Sequence, residues 1–144
     1  MNTDTIAAIA TASGIGGIGI VRISGANALK AVKSICSASL SPREACFTHF
    51  VDQGNIVDQG IVIYFPAPNS FTGEDVCEIF IHGSPLIASQ LEQVFKDYKI
   101  PGFRLAKKGE FSFRSVLNNK YSLKQAKAIN LIINNESFSS LEYN

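Results

Sequence analysis

The chain has 144 residues and a formal net charge of +1, with 46% hydrophobic and 17% charged side chains. That is about one domain of globular composition and excludes a disordered chain. No apolar run approaches the roughly 20 residues of a membrane-spanning helix, and no basic cluster precedes an apolar core at the N-terminus, so neither a membrane span nor a secretory leader is read. The near-neutral total hides an uneven distribution. Residues 1–95 hold four basic and eight acidic side chains, whereas residues 96–127 hold nine basic and two acidic. Such a basic last third predicts an anionic partner. Cys36, Cys46 and Cys77 stand far apart, and the histidines are His49 and His82. Without paired ligands no zinc site can be read, and three scattered thiols fit a reduced interior and a cytoplasmic setting.

In chain order, Thr5–Thr11 is apolar and Ala-rich and reads as a strand or a short helix. Gly14–Gly19 then matches G-x-G-x-x-G in form only. A dinucleotide site needs a helix after the glycines and an acidic residue about 20 positions on. Here strand alternation follows, and residues 34–42 contain no acid. The glycines instead predict a close approach of backbone to some neighbour. No G-x-x-x-x-G-K-[ST] phosphate cradle occurs. In Gly19–Ser24, Ile20, Arg22 and Ser24 share one strand face, and Val21 and Ile23 share the other. Ala28, Leu29, Val32, Ile35 and Cys36 recur at helical spacing. After a loop at Ser37–Arg43, Ala45–Val51 and Ile61–Phe65 read as strands, with a turn starting at Asp52–Asn55. Residues 66–75 form a long loop.

Val76–His82 is the plainest strand, with Cys77, Ile79 and Ile81 opposite Val76, Glu78, Phe80 and His82. A helix follows, with Ser84 as its cap, Pro85 in its first turn and a stripe of Ile87, Leu91, Val94, Phe95 and Tyr98. Phe103–Ala106 predicts a short strand and Phe111–Leu117 a short helix. Ser122 to Gln125 fits a capping box that opens a last helix. That helix is more apolar than a solvated tail, so it is expected to pack on a partner or on a longer chain. Strands and helices mix, and some strands are consecutive, which predicts an α+β fold: a small mixed sheet with packed helices.

Three positions stand out chemically. Arg22 is a cation in an apolar strand, either at a watered edge or anchoring a carboxylate or phosphate. Glu78 shares a face with apolar neighbours, so it is solvated or paired. A carboxylate on a rigid strand can also accept two parallel N–H bonds from an amino-substituted heterocycle such as a pterin. His82 reads as a structural histidine at a strand end rather than a general base, since no nucleophile is assignable beside it. Cys77 reads as core. Lys107, Lys108, Arg114 and Lys120 group around Gly109–Asn119, either as a solvated face or as a patch for phosphates or RNA.

These residues carry a resemblance. Asp4–Thr11, Gly16–Gly25, Tyr64–Val76, Glu78, His82-Gly83, Gly109-Glu-Phe-Ser112, Arg114 and Lys120 run in the order found in the N-terminal region of the MnmE/TrmE family of tRNA-modification GTPases. The chain is therefore identified as resembling that family's N-terminal domain. The resemblance implies a fold like the folate-binding domains of one-carbon enzymes. It implies binding of 5-formyl- or 5,10-methylene-tetrahydrofolate, with contacts at Arg22, Glu78 and Lys120, and a homodimer. It divides the chain into a folate-binding and dimerising domain over 1–119 and the start of a helical domain over 120–144. GTP, potassium and magnesium would belong to a GTPase domain outside this chain, which alone is expected not to hydrolyse GTP. The implied partners are an FAD-dependent subunit of the MnmG/GidA type and, through the complex, tRNA, with no membrane. The product would be an aminomethyl or carboxymethylaminomethyl group on a wobble uridine. The family usually has Gln-Gly where this chain has Phe80-Ile81, and Arg where Ile15 stands. The alternative is thus an interaction module that keeps the dimer fold without the ligand.

Overall fold

The computed structural model describes residues 4–134. Six strands and four helices follow one another: β1 (Thr5–Ile9), β2 (Ile18–Ser24), α1 (Ala28–Lys33), β3 (Cys46–Asp52), β4 (Asn55–Phe65), β5 (Val76–His82), α2 (Pro85–Asp97), β6 (Phe103–Leu105), α3 (Glu110–Leu117) and α4 (Leu123–Ile133). The strands form one mixed sheet in the order β3-β4-β5-β2-β1-β6. All neighbours are antiparallel except β1 and β6, which run parallel. This is the α+β class that the mixed elements predict.

Alternation builds the core. Val21, Ile23, Cys77, Ile79, Ile81 and Val62 project from one sheet face and pack with Ala28, Ala31 and Val32 of α1 and Ala88, Leu91, Val94 and Phe95 of α2. Full burial of each large apolar side chain contributes roughly 1.5–3 kcal/mol. Cys77 is fully buried, as expected, and burial first, then the Asp75 carboxylate, pushes its thiol up to about 12. Such a thiol does not ionise near neutrality.

The structure settles several local expectations. The apolar start is a strand, held between β2 and β6. Helix α1 stops at Lys33, short of Ile35 and Cys36, which are nonetheless buried. There the Ser34 hydroxyl donates back to the Ala31 carbonyl at 2.6 Å, and the Ile35 carbonyl accepts from Val51 of β3 at 2.7 Å. Strand β4 is far longer than Ile61–Phe65. Its first half is hidden because Asn55, Asp58, Gln59 and Gly60 are poor strand formers. The hairpin turn is the two-residue Gln53-Gly54, both left-handed, which is the geometry that a tight antiparallel hairpin needs. The α4 capping box is present in full, with the Ser122 side chain accepting from Gln125 and the Gln125 side chain accepting from Ser122. Ser84 stands at the N-terminus of α2 but makes no side-chain capping bond.

The expected close approach of the glycine stretch is found at Gly83. Gly16 N–H donates to the Gly83 carbonyl at 2.9 Å, and a Cβ on Gly83 would lie 2.2 Å from the Gly16 oxygen.

Candidate ligand face of the sheet

The face of the sheet away from α1 and α2 is where the suspicious residues meet. Cross-strand register places Ile63, Glu78, Arg22 and Ala8 in one row across β4, β5, β2 and β1. Arg22 is therefore not at a watered edge: β2 lies inside the sheet, between β5 and β1. Its guanidinium pairs with Glu78, with Nε and Nη2 both 2.9 Å from Oε1. Both side chains are largely covered, at 25% and 17% exposure. A charge in that position needs a partner, and each supplies the other's. The hydrogen bond from Arg22 goes to Oε1, and among the described residues no hydrogen bond to Oε2 is seen, so the second oxygen remains available to a donor.

Aromatic rings cover Arg22. The Phe71 centroid lies 4.9 Å from its Cζ, and that of Phe111 lies 5.9 Å away. Both are within cation–π range, and they hold the guanidinium in place against Glu78. Phe71 belongs to the 66–75 loop, which contains a cis Ala67–Pro68 bond. Side chains of α3 and the residues after it stitch this loop down. Ser115 Oγ donates to the Phe71 carbonyl at 2.8 Å, and Asn118 Nδ2 to that of Thr72 at 2.7 Å. Lys120 Nζ donates to the Pro68 carbonyl at 2.9 Å. Phe71 also packs on Tyr121, with ring centroids 5.7 Å apart. The structure thus brings Arg22 and Glu78 into direct contact. It sets Lys120 beside the loop that covers them rather than against the pair itself.

The basic run divides sharply. Arg114 is no part of a surface patch: it is 1% exposed, with Nη1 donating to both Glu74 oxygens at 3.0 and 3.2 Å and to the Asp4 carbonyl at 2.7 Å. Its Nη2 reaches Glu110 at 3.3 Å. Arg104 pairs with Glu110 and Asp4. Three acids, Asp4, Glu74 and Glu110, thus hold two arginines at this corner, which removes Arg104 and Arg114 from any phosphate-seeking surface. Hydrogen bonds from Arg104 lead the effects that hold the Glu110 carboxyl at about 2, against the opposing pull of burial. A carboxyl depressed in the folded state adds stability above its ordinary value and loses it as pH falls toward the folded one. Stability is expected to drop by roughly 3 kcal/mol between about pH 4.5 and pH 2 from this group. Replacing Glu110 with Gln flattens that part of an acid-denaturation curve; an unchanged slope would contradict the assignment.

His82 does close a strand, as expected, but with a partner that sequence reasoning missed. Its ring Nδ1 lies 2.7 Å from Asp58 Oδ1, and its backbone N–H donates to Asp58 Oδ2 at 2.9 Å. Burial works to raise the Asp58 carboxyl, but the His82 hydrogen bonds outweigh it and hold it below the usual range. Asp58 sits in the half of β4 that lacked a strand signal. Beside His82 a shallow groove of about 330 Å³ runs between Phe47, Ile61 and Phe80. A larger cavity of about 410 Å³ lies between the glycine stretch and the start of α2, and it gathers none of the ionisable candidates. Among the described residues no three His, Cys, Asp or Glu side chains group to hold a metal, and no helix is long and apolar enough to cross a membrane.

The sequence has known relatives. The family described as "GTP-binding protein TrmE N-terminus" matches residues 5–120. The chain is 48% identical over 134 residues to a tRNA modification GTPase MnmE of Francisella philomiragia, covering 93% of the chain and 29% of that protein. It is 52% identical over 127 residues to the MnmE of Pseudomonas syringae pv. syringae, covering 88% of the chain and 27% of the relative. With that of Paracidovorax citrulli it shares 45% identity over 140 residues, covering 89% and 29%. The chain thus spans under a third of the length of these curated relatives. Matched over most of its length by the family and at about half identity by these proteins, the chain belongs to the TrmE N-terminal family.

Proposed function

We propose that this chain is the reduced-folate-binding and homodimerising part of a protein that modifies wobble uridines of tRNA. The relatives' name, tRNA modification GTPase, supports the wider setting. The observation that carries the ligand reading is the Arg22–Glu78 pair under Phe71. Arg22 orients one Glu78 oxygen and leaves the other free. A pterin edge, with an amino group beside a ring N–H, supplies donors that suit such a carboxylate. The pair thus revises the role of Arg22: it positions Glu78 first, and meets polar groups of the ligand second. Lys120 enters from the loop side, where exchanging the Pro68 carbonyl for a ligand carbonyl or carboxylate conserves its charge-assisted bond. The ligand is 5-formyl- or 5,10-methylene-tetrahydrofolate, and the domain runs over 1–119, with the helical part beginning at 120. An FAD-dependent partner of the MnmG/GidA type completes the transfer to tRNA in the cytoplasm.

The test is titration calorimetry with 5-formyl-tetrahydrofolate. Glu78→Gln keeps the shape but turns a two-oxygen acceptor into one acceptor and one donor. Affinity is expected to fall on the order of 10- to 100-fold, the worth of a hydrogen bond to a charged group. Equal affinity in the variant removes Glu78 from the site.

A second reading has its own observation. Phe47 is 64% exposed, Ile18 63% and Ile61 37% on or beside the same sheet face. An open sheet face is ordinarily polar, and contiguous apolar groups there mark a contact surface. An interaction module without a ligand predicts a dimer by sedimentation whose melting temperature ignores the folate.

A further inference from the structure

The helix side of the sheet carries its own concentration of charge, at the seam between α1 and the turn that leaves α2. Asn27, at the start of α1, donates from Nδ2 to the Pro101 carbonyl at 2.9 Å, which ties the two segments together. Lys30 follows one turn after Asn27, on the same side of α1. Lys33 lines a groove of about 290 Å³ with Ser34, Ser37, Gln53 and Tyr98. Lys96 stands in the last turn of α2, and Lys99 follows its cap, Tyr98. All four lysines are exposed, and none is in an ion pair among the described residues. Asp97, the acid between Lys96 and Lys99, accepts instead from Gln93 at 2.9 Å.

Part of this charge has a local use. Lys30, Lys33 and Lys96 stand in the last turns of α1 and α2, where cations complement the helix dipole. Lys99 has no such account. Its φ of 47° is left-handed, at the position after a helix cap where glycine is the usual residue. A side chain there costs conformational energy that glycine avoids, and the ammonium is what that cost retains. Beside it the Tyr98 ring is 44% exposed at the rim of the groove.

We infer that this seam binds an unpaired stretch of RNA, with phosphates on Lys30, Lys33, Lys96 and Lys99 and a base against Tyr98. Single-strand sites combine a positive groove that follows the backbone with exposed aromatic rings on which bases stack. RNA supplies both complements, negative charges at regular intervals and flat rings between them. An acidic peptide would satisfy the lysines but leave Tyr98 without a role. The inference stands without the ligand reading above, because α1 and α2 lie against the sheet face opposite Glu78. It gives this domain an RNA contact of its own, where the proposed function reaches tRNA through a complex.

The test is fluorescence anisotropy of the chain with a labelled oligouridylate about ten nucleotides long, between about 50 and 200 mM salt. Lys33→Gln combined with Lys99→Gln is expected to weaken binding about tenfold. It should also lower the salt slope by about 1.4, since each single-strand phosphate contact contributes about 0.7. Tyr98→Ser should weaken binding about tenfold with the slope unchanged. Lys99→Gly separates binding from folding: it should melt no lower than the parent chain, yet bind about threefold more weakly. Lys107→Gln combined with Lys108→Gln makes the same change in net charge beyond β6, and should stay within about twofold of the parent. No binding by the parent chain overturns the inference. So does an equal loss in the Lys107–Lys108 variant, which would assign the effect to net charge. If polyglutamate competes as well as unlabelled oligouridylate and Tyr98→Ser changes nothing, the seam takes acidic protein rather than RNA. A Lys99→Gly chain that melts lower and binds RNA like the parent makes Lys99 structural and removes it from the surface. Each of these failures leaves the Glu78 reading standing.

Discussion

Replacing Arg114 with Met is expected to cost the fold about 3–5 kcal/mol, the usual loss when one partner of a buried ionic cluster is removed. Met is of similar length and keeps the packing. What disappears is the charge that Glu74 and Glu110 share and the donor to the Asp4 carbonyl. Glu110 retains Arg104, and Glu74 retains the Ser24 hydroxyl at 2.6 Å, so neither acid is wholly abandoned. Both are still left in a covered corner with less positive charge than they need. A thermal melt should fall by ten degrees or more. Adding Glu74→Gln should recover part of the loss, because it removes the charge left without its partner. A loss below about 1 kcal/mol would mean that water replaces the guanidinium. Hydrogen exchange gives a local readout: amides of the 66–75 loop should open sooner in the variant, since Arg114 anchors Glu74 at its end.

Gly60→Ala is expected to be comparably severe, for a different reason. The φ angle at Gly60 is one that any residue adopts, so the obstacle is space alone. The new Cβ would meet the Phe80 carbonyl at 1.9 Å. That carbonyl belongs to β5, which is paired on both sides and cannot retreat without breaking a ladder. The expected loss is about 3 kcal/mol, at the upper end for overfilled interiors. Gly17→Ala is the control, because nothing lies within 4 Å of its Cβ, and it should melt with the parent chain. If the two variants melt alike, β4 is not seated on β5 as described.

The strands that carry the site were legible because their alternation is clean. In β2 and β5 each second residue is apolar and buried, so Arg22 and Glu78 stood out on the other faces. That they face each other was not legible. It depends on β5 pairing with the distant β2 as well as with its sequence neighbour β4, and fifty-six residues separate the two side chains. Asp58 was missed for a local reason, because polar residues and a glycine conceal the start of β4. The basic run misled for a long-range reason. Arg114 meets Glu74 from forty residues away, and no count of nearby charge reveals that an arginine is spent inside the fold. Lys120 belongs to a third kind. The family resemblance named it, and the structure places it on the loop over the pair.

Strand β1 is completed on one side by β2 and on the other by β6. Arg104 and Arg114 then fasten Asp4 across 100 and 110 residues of chain. During synthesis, β1 can find β2 early, but its other edge stays bare until residues 103–105 have left the ribosome. Partial chains therefore present an apolar strand edge with nothing to cover it, the state in which nascent proteins most need a chaperone. With closure spanning nearly the whole chain, folding is expected to be a late and concerted event rather than a progressive one.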